Sequence, residues 1–402
     1  MQHDTQVRLI KEMLARLDAG TNVDAGGLRR NPTFVYVDPE LAQEEWDAFF
    51  QGYPQIIGLS GDLPAPHSFV TMDDLGVPIL ATRDGEGVFR AFVNACRHRG
   101  AIVEERTKGT ARRFTCAFHS WTYDTSGALV GVTKEDHFGN IERSCHGLVP
   151  LPATEAHGLL IVHPDRNGTI DVTAMFGEEL ANELQSWDLA SLEFLGNDSY
   201  DVACNWKLAM DTFGETYHFP FLHKNTINLG FHGNVQCYDT FGRNHRMLLC
   251  MRDIDEMRKL PEDQWDITIA TLPAYWLFPN VQLLPSHNGC FLVRAYPIAG
   301  EPGRHMSRIT FYLRHGADSP VDRQGIEDQR SIAELFASII RDEDYVMSAS
   351  QQRTASSGSV QYSLFGRNEP ALHHYHLTYR AVLGMETLPL IDDSQPISSW
   401  PV

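Results

Sequence analysis

No stretch of the chain approaches the roughly 20 consecutive apolar residues that a membrane-spanning helix requires, so no membrane span is expected. Met1 to Gly20 intersperses charges with Ile10, Met13, Leu14 and Leu17. That is the pattern of an amphipathic helix without the apolar centre of a signal peptide, and a cytoplasmic protein is expected. Positive charge is scarce, 33 Lys and Arg against 52 Asp and Glu, for a formal net charge of -19. This argues against nucleic acid as a partner, because clustered Lys and Arg would have to hold its phosphates. No G-x-G-x-x-G fingerprint opens a strand-helix unit, so no dinucleotide site is expected here. Internal repeats and low-complexity tracts are also missing; only Ala355 to Ser359 reads as a short flexible loop. Cysteine is sparse. Of seven, Cys145, Cys204, Cys237, Cys250 and Cys290 are scattered without pattern and odd in number, which excludes a disulfide framework and suggests reduced thiols buried as small hydrophobes.

What is present allows two domains, since 402 residues are set against a soft prior of about 150 per domain. From about Pro39 to about Pro164, turn residues cut the chain into short apolar runs. Val77 to Leu80 and Val88 to Val93 flank the Asp84 to Gly87 turn and read as a hairpin, with Pro78 pushing its strand towards a sheet edge. After about Asp165 the texture changes. A helix is expected around Met175 to Leu195 and a second from about Ile326 to Gln352. Between them lie strand-like runs at Met247 to Met251, Ala274 to Leu284, Gly289 to Tyr296 and Arg308 to Leu313. The expected fold class is α+β, divided into a helical segment 1-45, an all-β domain 46-165 and a larger domain 166-402.

The two remaining cysteines carry the strongest signal. Cys96-Arg97-His98 is joined to Cys116-Ala117-Phe118-His119 in a C-x-H-x17-C-x2-H pattern. Two thiolates and two imidazoles are the ligands of a [2Fe-2S] centre in which histidines replace two cysteines on one iron, raising its potential. Zinc also takes Cys2His2 sets, but zinc fingers pair Cys with Cys and His with His. Here each loop supplies one of each, so the pattern reads as a Rieske centre.

A second constellation lies downstream. In Asn205 to His218, the polar residues Asp211, Glu215 and His218 fall at i, i+4 and i+7 and would share one helix face. Pro220 would end that helix and deliver His223 from the following turn. Two imidazoles plus a carboxylate bind Fe(II) on one face of its octahedron and leave positions open for dioxygen. Met210, Thr212, Phe213, Phe219 and Leu229 flank this motif, and Trp276, Phe278, Gln282 and Phe291 lie on strands that could face it, all as pocket candidates.

Arg99-Gly100 after the first loop and Ser120-Trp121 after the second resemble the C-x-H-R-G and C-x-x-H-x-W signatures of the Rieske family. Asn205-Trp206-Lys207 with Glu215, His218 and His223 resembles N-W-K followed by D/E-x-x-H-x4-H of the Rieske non-haem iron oxygenases. The resemblance runs from about Trp46 to Gln352. It implies a β-rich Rieske domain and a catalytic domain with a central antiparallel sheet and long helices, of helix-grip type. Cys96, His98, Cys116 and His119 would hold the cluster, with Trp121 packing over it, and His218 and His223 would hold a mononuclear Fe(II). The third iron ligand would come from an acidic pair on the last long helix, Asp344 by resemblance with Glu343 as the alternative. Ile332, Leu335, Phe336, Ile339, Ile340, Val346 and Met347 form a stripe centred nearer Glu343.

In that family the acid at position 215 is not a ligand but bridges a cluster histidine of one protomer and an iron histidine of the next; here Glu215 would link His218 to His119 of a neighbour. Most ring-hydroxylating members carry Asp there, whereas some members acting on quaternary ammonium compounds carry Glu. Asp211 matches a second acidic position near the same boundary. The implied activity is that of an oxygenase alpha component. It would activate O2 and hydroxylate or dihydroxylate a small organic substrate, aromatic by default, with oxidative demethylation or C-N cleavage of a quaternary ammonium or N-methyl compound as the alternative. The implied partners are an NAD(P)H-dependent reductase, with or without a ferredoxin, and further copies of the chain in a homotrimer or higher multiple. Two other classes use half of this ligand set: an electron carrier with only the cluster, and a colourless zinc-stabilised structural protein.

Overall fold

The computed structural model describes residues 1–314 and 323–391. The stretches 315–322 and 392–402, part of the expected third domain, lie outside the described residues. The chain forms two compact units. One comprises Trp46–Ala174 and Asp188–Phe194; the other comprises Met1–Glu45, Met175–Trp187 and the chain from Leu195 onward. The first 45 residues are therefore not a separate segment but part of the larger unit.

The smaller unit is built of short antiparallel strands. Five of them align in the order Pro150–Leu151, Phe89–Val93, Ile79–Arg83, Ser68–Met72, Lys108–Thr110. The hairpin expected around Asp84 to Gly87 pairs Ile79 with Val93 and Arg83 with Phe89. Its first strand is central, not an edge, because Pro78 stands just before it and only its carbonyl is used, accepting from the Asn94 N–H at 2.7 Å. A second sheet carries Ala153–Ala156, Leu159–Val162 and Gln55–Leu59, and a third carries Arg113–Thr115, Thr122–Asp124 and Leu129–Gly131. Phe69, Leu80, Phe92, Phe114, Tyr123 and Leu148 form the core against which Cys96 and Cys116 pack.

The larger unit is organised on a seven-stranded sheet. Phe231–Phe241, Asn244–Met251, Thr271–Leu277, Val281–Pro285, Gly289–Ile298 and Glu301–Leu313 run as an antiparallel meander, and Glu193–Val202 adds to the Glu301–Leu313 edge. The run expected as one strand from Ala274 to Leu284 is two strands, because Phe278 to Asn280 makes the turn between them. The helix expected at Met175 to Leu195 occupies Val172–Ser186, breaks at Gly177 and gives way to strand by Glu193. The amphipathic N-terminal helix spans His3–Ala19, burying Leu9, Ile10, Met13 and Leu14, and Gly20 closes it at φ 62°. Among the described residues no helix is long and apolar enough to cross a membrane.

The last long helix differs most from the sequence pattern. Arg323–Ile339 runs into a π-helical segment, Ile340–Asp344, and on into Tyr345–Ser356. Its inward face carries Ala333, Ala337, Ile340, Asp344, Ser348 and Gln352, all buried, whereas Ile332, Leu335, Val346 and Met347 are exposed. The apolar stripe is thus split, with Ile339 and Ile340 buried and these four residues outward. The thiols also divide: Cys204, Cys237, Cys250 and Cys290 are buried as expected, but Cys145 is exposed, and all seven are free.

One buried ion pair ties the N-terminal segment to the Asn205-Trp206-Lys207 stretch. Lys207 Nζ lies 2.6 Å from both oxygens of Glu45, and the Trp206 indole N–H donates to the same carboxylate at 3.2 Å. Both charges are sequestered, with side-chain exposures of 1% and 3%. Burial lowers the Lys207 pKa, with the Glu45 charge acting in opposition. Removing one partner leaves the other uncompensated. Glu45→Ala is therefore expected to cost roughly 3–5 kcal/mol in denaturant unfolding, while the double replacement Glu45→Leu with Lys207→Met costs much less.

Candidate metal centres

The two cysteine-histidine loops are built alike. The Cys96 N–H donates to the Ala101 carbonyl at 2.7 Å and the Gly100 N–H returns to the Cys96 carbonyl at 2.8 Å. In the second loop Cys116 and Trp121, then Ser120 and Cys116, repeat this exchange at 2.9 Å each. Four residues after each cysteine the backbone turns left-handed, at Gly100 with φ 79° and at Ser120 with φ 58°. Glycine adopts that conformation freely, whereas serine costs roughly 1–2 kcal/mol there. The second loop is held in shape at some expense.

The result brings the donors together. Cys96 and Cys116 are 4% and 1% exposed, and the His98 and His119 rings lie 4.5 Å apart. His98 Nδ1 is buried with no hydrogen-bond partner, an orphan that a metal would satisfy. Desolvation, then the neighbouring His98 and Arg99, hold the His119 pKa below its ordinary value and favour the neutral, ligating form. Trp121 stacks on His98 at 5.2 Å and 12°. Phe138 meets both rings edge-on. Tyr123, which sequence reasoning missed, places its hydroxyl 3.4 Å from Cys96 Sγ while accepting the Arg97 N–H at 2.9 Å. Its own proton is thus available to the sulfur.

The second constellation is not on a helix face. Asn205 caps a helix that covers only Trp206–Asp211, its side chain accepting the Lys207 N–H. The chain then leaves through a turn at Gly214, where a Cβ would come within 2.5 Å of Leu372 and 2.9 Å of Tyr375. Asp211 accordingly turns elsewhere. It accepts from the Tyr36 hydroxyl at 2.8 Å and lies 2.9 Å from His376 Nε2, so it is not among the groups that meet at the metal position.

Glu215, His218 and His223 come from the irregular turns that follow. The Glu215 carboxylate receives the His218 backbone N–H at 3.1 Å and makes a short hydrogen bond to His218 Nδ1. His223 Nδ1 lies 2.7 Å from Glu343 Oε2, and its Nε2 lies 3.2 Å from Asp344 Oδ1. His218 Nε2 is 3.6 Å from the same Asp344 oxygen. One donor atom from each of His218, His223 and Asp344 falls within 4.8 Å of the others, a set able to hold one metal ion. Of the acidic pair, Asp344 stands on the Nε2 side and Glu343 on the Nδ1 side. Burial opposes protonation of His223, but Asp344 and then Glu343 outweigh it and hold its pKa up. A cation seated there would take over the stabilisation that the proton supplies.

Around the triad, Phe219 is buried with its ring 5.0 Å from His218 and 5.6 Å from His223. Phe291 stacks at 4.3 Å on Phe336 of the Asp344-bearing helix. Trp276 and Gln282 are buried against Tyr375. Phe278 packs on Tyr379, Met210 is buried, and Leu229 is 70% exposed. Another acid lay outside the motif: Glu369, raised to about 7 by burial and then by the charges of Glu215 and Asp211.

Residues 54–146 match the family described as Rieske [2Fe-2S] domain, and residues 189–385 match the ring hydroxylating alpha subunit, catalytic domain. The carnitine monooxygenase oxygenase subunit of Acinetobacter baumannii is 24% identical over 334 residues, covering 81% of this chain and 85% of its own. The quaternary ammonium Rieske monooxygenase CntA in complex with L-carnitine has a similar fold, with TM-score 0.74, 18% identity and coverage of 90% and 97%. So does naphthalene 1,2-dioxygenase from Rhodococcus sp. bound to indole, with TM-score 0.71, 19% identity and coverage of 94% and 97%.

Hydrogen bonds to cluster sulfurs stabilise the reduced, more negative state. Tyr123→Phe is therefore expected to lower the midpoint potential in a redox titration followed by EPR, with the g-values of a Cys2His2 cluster retained.

Proposed function

Because the chain belongs to the Rieske non-haem iron oxygenases, as an oxygenase alpha component, we propose that it works on a quaternary ammonium or N-methyl compound, a reading supported by Glu215 and by the carnitine monooxygenase relative. The family assignment makes it an oxidoreductase with a Rieske [2Fe-2S] cluster and a mononuclear iron, dependent on a partner reductase. When bound, the cluster passes single electrons and the iron binds and reduces dioxygen. The chain's own residues do the rest.

His218, His223 and Asp344 would hold the iron, and three protein ligands would leave it able to take oxygen and water. Glu215 accepts from His218 Nδ1 and would so keep the Nε2 lone pair of that ring directed at the metal. Phe219, with Phe231 at 6.0 Å, offers an aromatic wall that excludes water and attracts a cationic head group. Insertion of one oxygen atom consumes O2, two electrons and two protons and releases water. At an N-methyl carbon the resulting carbinol loses formaldehyde.

The electron supply is a separate NAD(P)H-dependent reductase, directly or through a ferredoxin. The oligomer is a cyclic homotrimer or a multiple of it, with Glu215 joining His218 to His119 of a neighbour. The exposed Tyr217, Phe221 and Leu229 beside the iron ligands and Phe118 and Phe138 beside the cluster are apolar surfaces that such contacts would cover. The cytoplasm is the cellular setting proposed. A second reading, hydroxylation of an aromatic ring, is favoured by the likeness to naphthalene 1,2-dioxygenase.

Anaerobic reconstitution with a reductase, followed by oxygen uptake and product mass across carnitine, betaines, choline, tertiary N-methyl amines and aromatic acids, separates the readings. Formaldehyde in step with oxygen consumption is expected for an N-methyl compound; a dihydrodiol or phenol in its place would overturn the assignment. His218→Ala should abolish turnover while sparing the cluster, whereas a simple electron carrier would be unaffected. Protomers lacking cluster ligands, through His119→Ala, should regain activity when co-assembled with protomers carrying Asp344→Ala. No recovery would contradict the inter-subunit path.

A further inference from the structure

Adjacent residues on a helix normally point about 100° apart, yet Glu343 and Asp344 reach the two nitrogens of a single imidazole. Glu343 Oε2 is 2.7 Å from His223 Nδ1 and Asp344 Oδ1 is 3.2 Å from His223 Nε2. Both residues lie in the π-helical turn Ile340–Asp344. Its wider winding narrows the angle between consecutive side chains, and such single turns inside α-helices occur frequently at functional sites.

Glu343 has a second partner. The Thr226 hydroxyl donates to the same Oε2 at 3.1 Å, and the Thr226 N–H donates to the His223 carbonyl at 3.0 Å. One carboxylate oxygen therefore closes the His223–Thr226 turn and receives the imidazole proton. His223 is 1% exposed, so water is poorly placed to take over that proton if the carboxylate is removed. An unpaired buried donor costs roughly 1–3 kcal/mol.

We propose that Glu343 is a positioning residue, not an iron ligand: with Thr226 it fixes the Nδ1–H tautomer and the ring orientation of His223, and thereby sets the affinity of the mononuclear site. The role complements that of Glu215 at His218, so each histidine of the triad has its own carboxylate. The two supports differ in origin. Glu215 lies three residues from its histidine, whereas Glu343 is 120 residues away and locks the turn to the long helix. The inference rests on the His218, His223, Asp344 reading of the site.

Fe(II) affinity of the full-length protein, cluster intact, is measured anaerobically by competition with a chromogenic chelator. Glu343→Leu should weaken binding about 10–100-fold, the usual range for loss of such a support. Glu343→Gln, which can still accept the Nδ1 proton but carries no charge, should weaken it less, and Thr226→Val least. Asp344→Ala should abolish binding, and the cluster's visible and EPR spectra should be unchanged throughout. Wild-type affinity in Glu343→Leu would overturn the proposal, as would complete loss in Glu343→Leu with retention in Asp344→Ala, which would make Glu343 the ligand. Wild-type affinity in His218→Ala would instead defeat the underlying assignment of the iron site.

Discussion

The larger unit depends on one requirement: two imidazoles and one carboxylate must present a lone pair each to the same point. His218 and His223 arrive from irregular turns and Asp344 from a helix more than a hundred residues later, yet their donor atoms fall within 4.8 Å. The chain departs from regular structure twice to achieve this. The helix that opens the motif stops at Asp211, and the last long helix widens into a π turn at Asp344. Each departure forgoes ordinary helical hydrogen bonding, and the buried Lys207–Glu45 pair and the close packing at Gly214 hold the surroundings in place.

The smaller unit solves a different problem. A cluster that only passes electrons needs a fixed environment and no open coordination position. Two loops with the same backbone hydrogen bonds, each ending in a left-handed residue, rise from short strands and bring four ligands together. Tyr123 and Trp121 then set the polarity at one sulfur and one imidazole. The second site, by contrast, offers one donor from each of His218, His223 and Asp344, with the Phe219 ring beside both histidines. Two different ligand constellations are thus built on different scaffolds in one chain.

Much of this was legible in the residues. The C-x-H and C-x2-H loops, the His218–His223 spacing and the hairpin around Asp84 to Gly87 are local patterns whose chemistry or turn geometry is carried by adjacent residues. What failed was tertiary. The i, i+4, i+7 spacing of Asp211, Glu215 and His218 suggested a shared face, but packing of Gly214 under Leu372 ends the helix and sends Asp211 to Tyr36 and His376. Of the apolar stripe on the last helix, Ile339 and Ile340 are buried, but Ile332, Leu335, Val346 and Met347 are exposed, and the buried face also holds Asp344, Ser348 and Gln352. Breaks between local pattern and fold are expected where function imposes polar groups on an interior. A π turn leaves no mark in hydrophobic spacing, which is why the residues alone left Glu343 and Asp344 unresolved.

Electrons enter at one centre and oxygen is reduced at the other, so the account stands on where iron sits. Anomalous scattering at the iron absorption edge, from crystals of the anaerobically reconstituted protein, locates it directly. The prediction is a pair of irons between Cys96, Cys116, His98 and His119, and a single iron bound by His218 Nε2, His223 Nε2 and Asp344. Iron bound to Glu343, or no iron among the three, would contradict it.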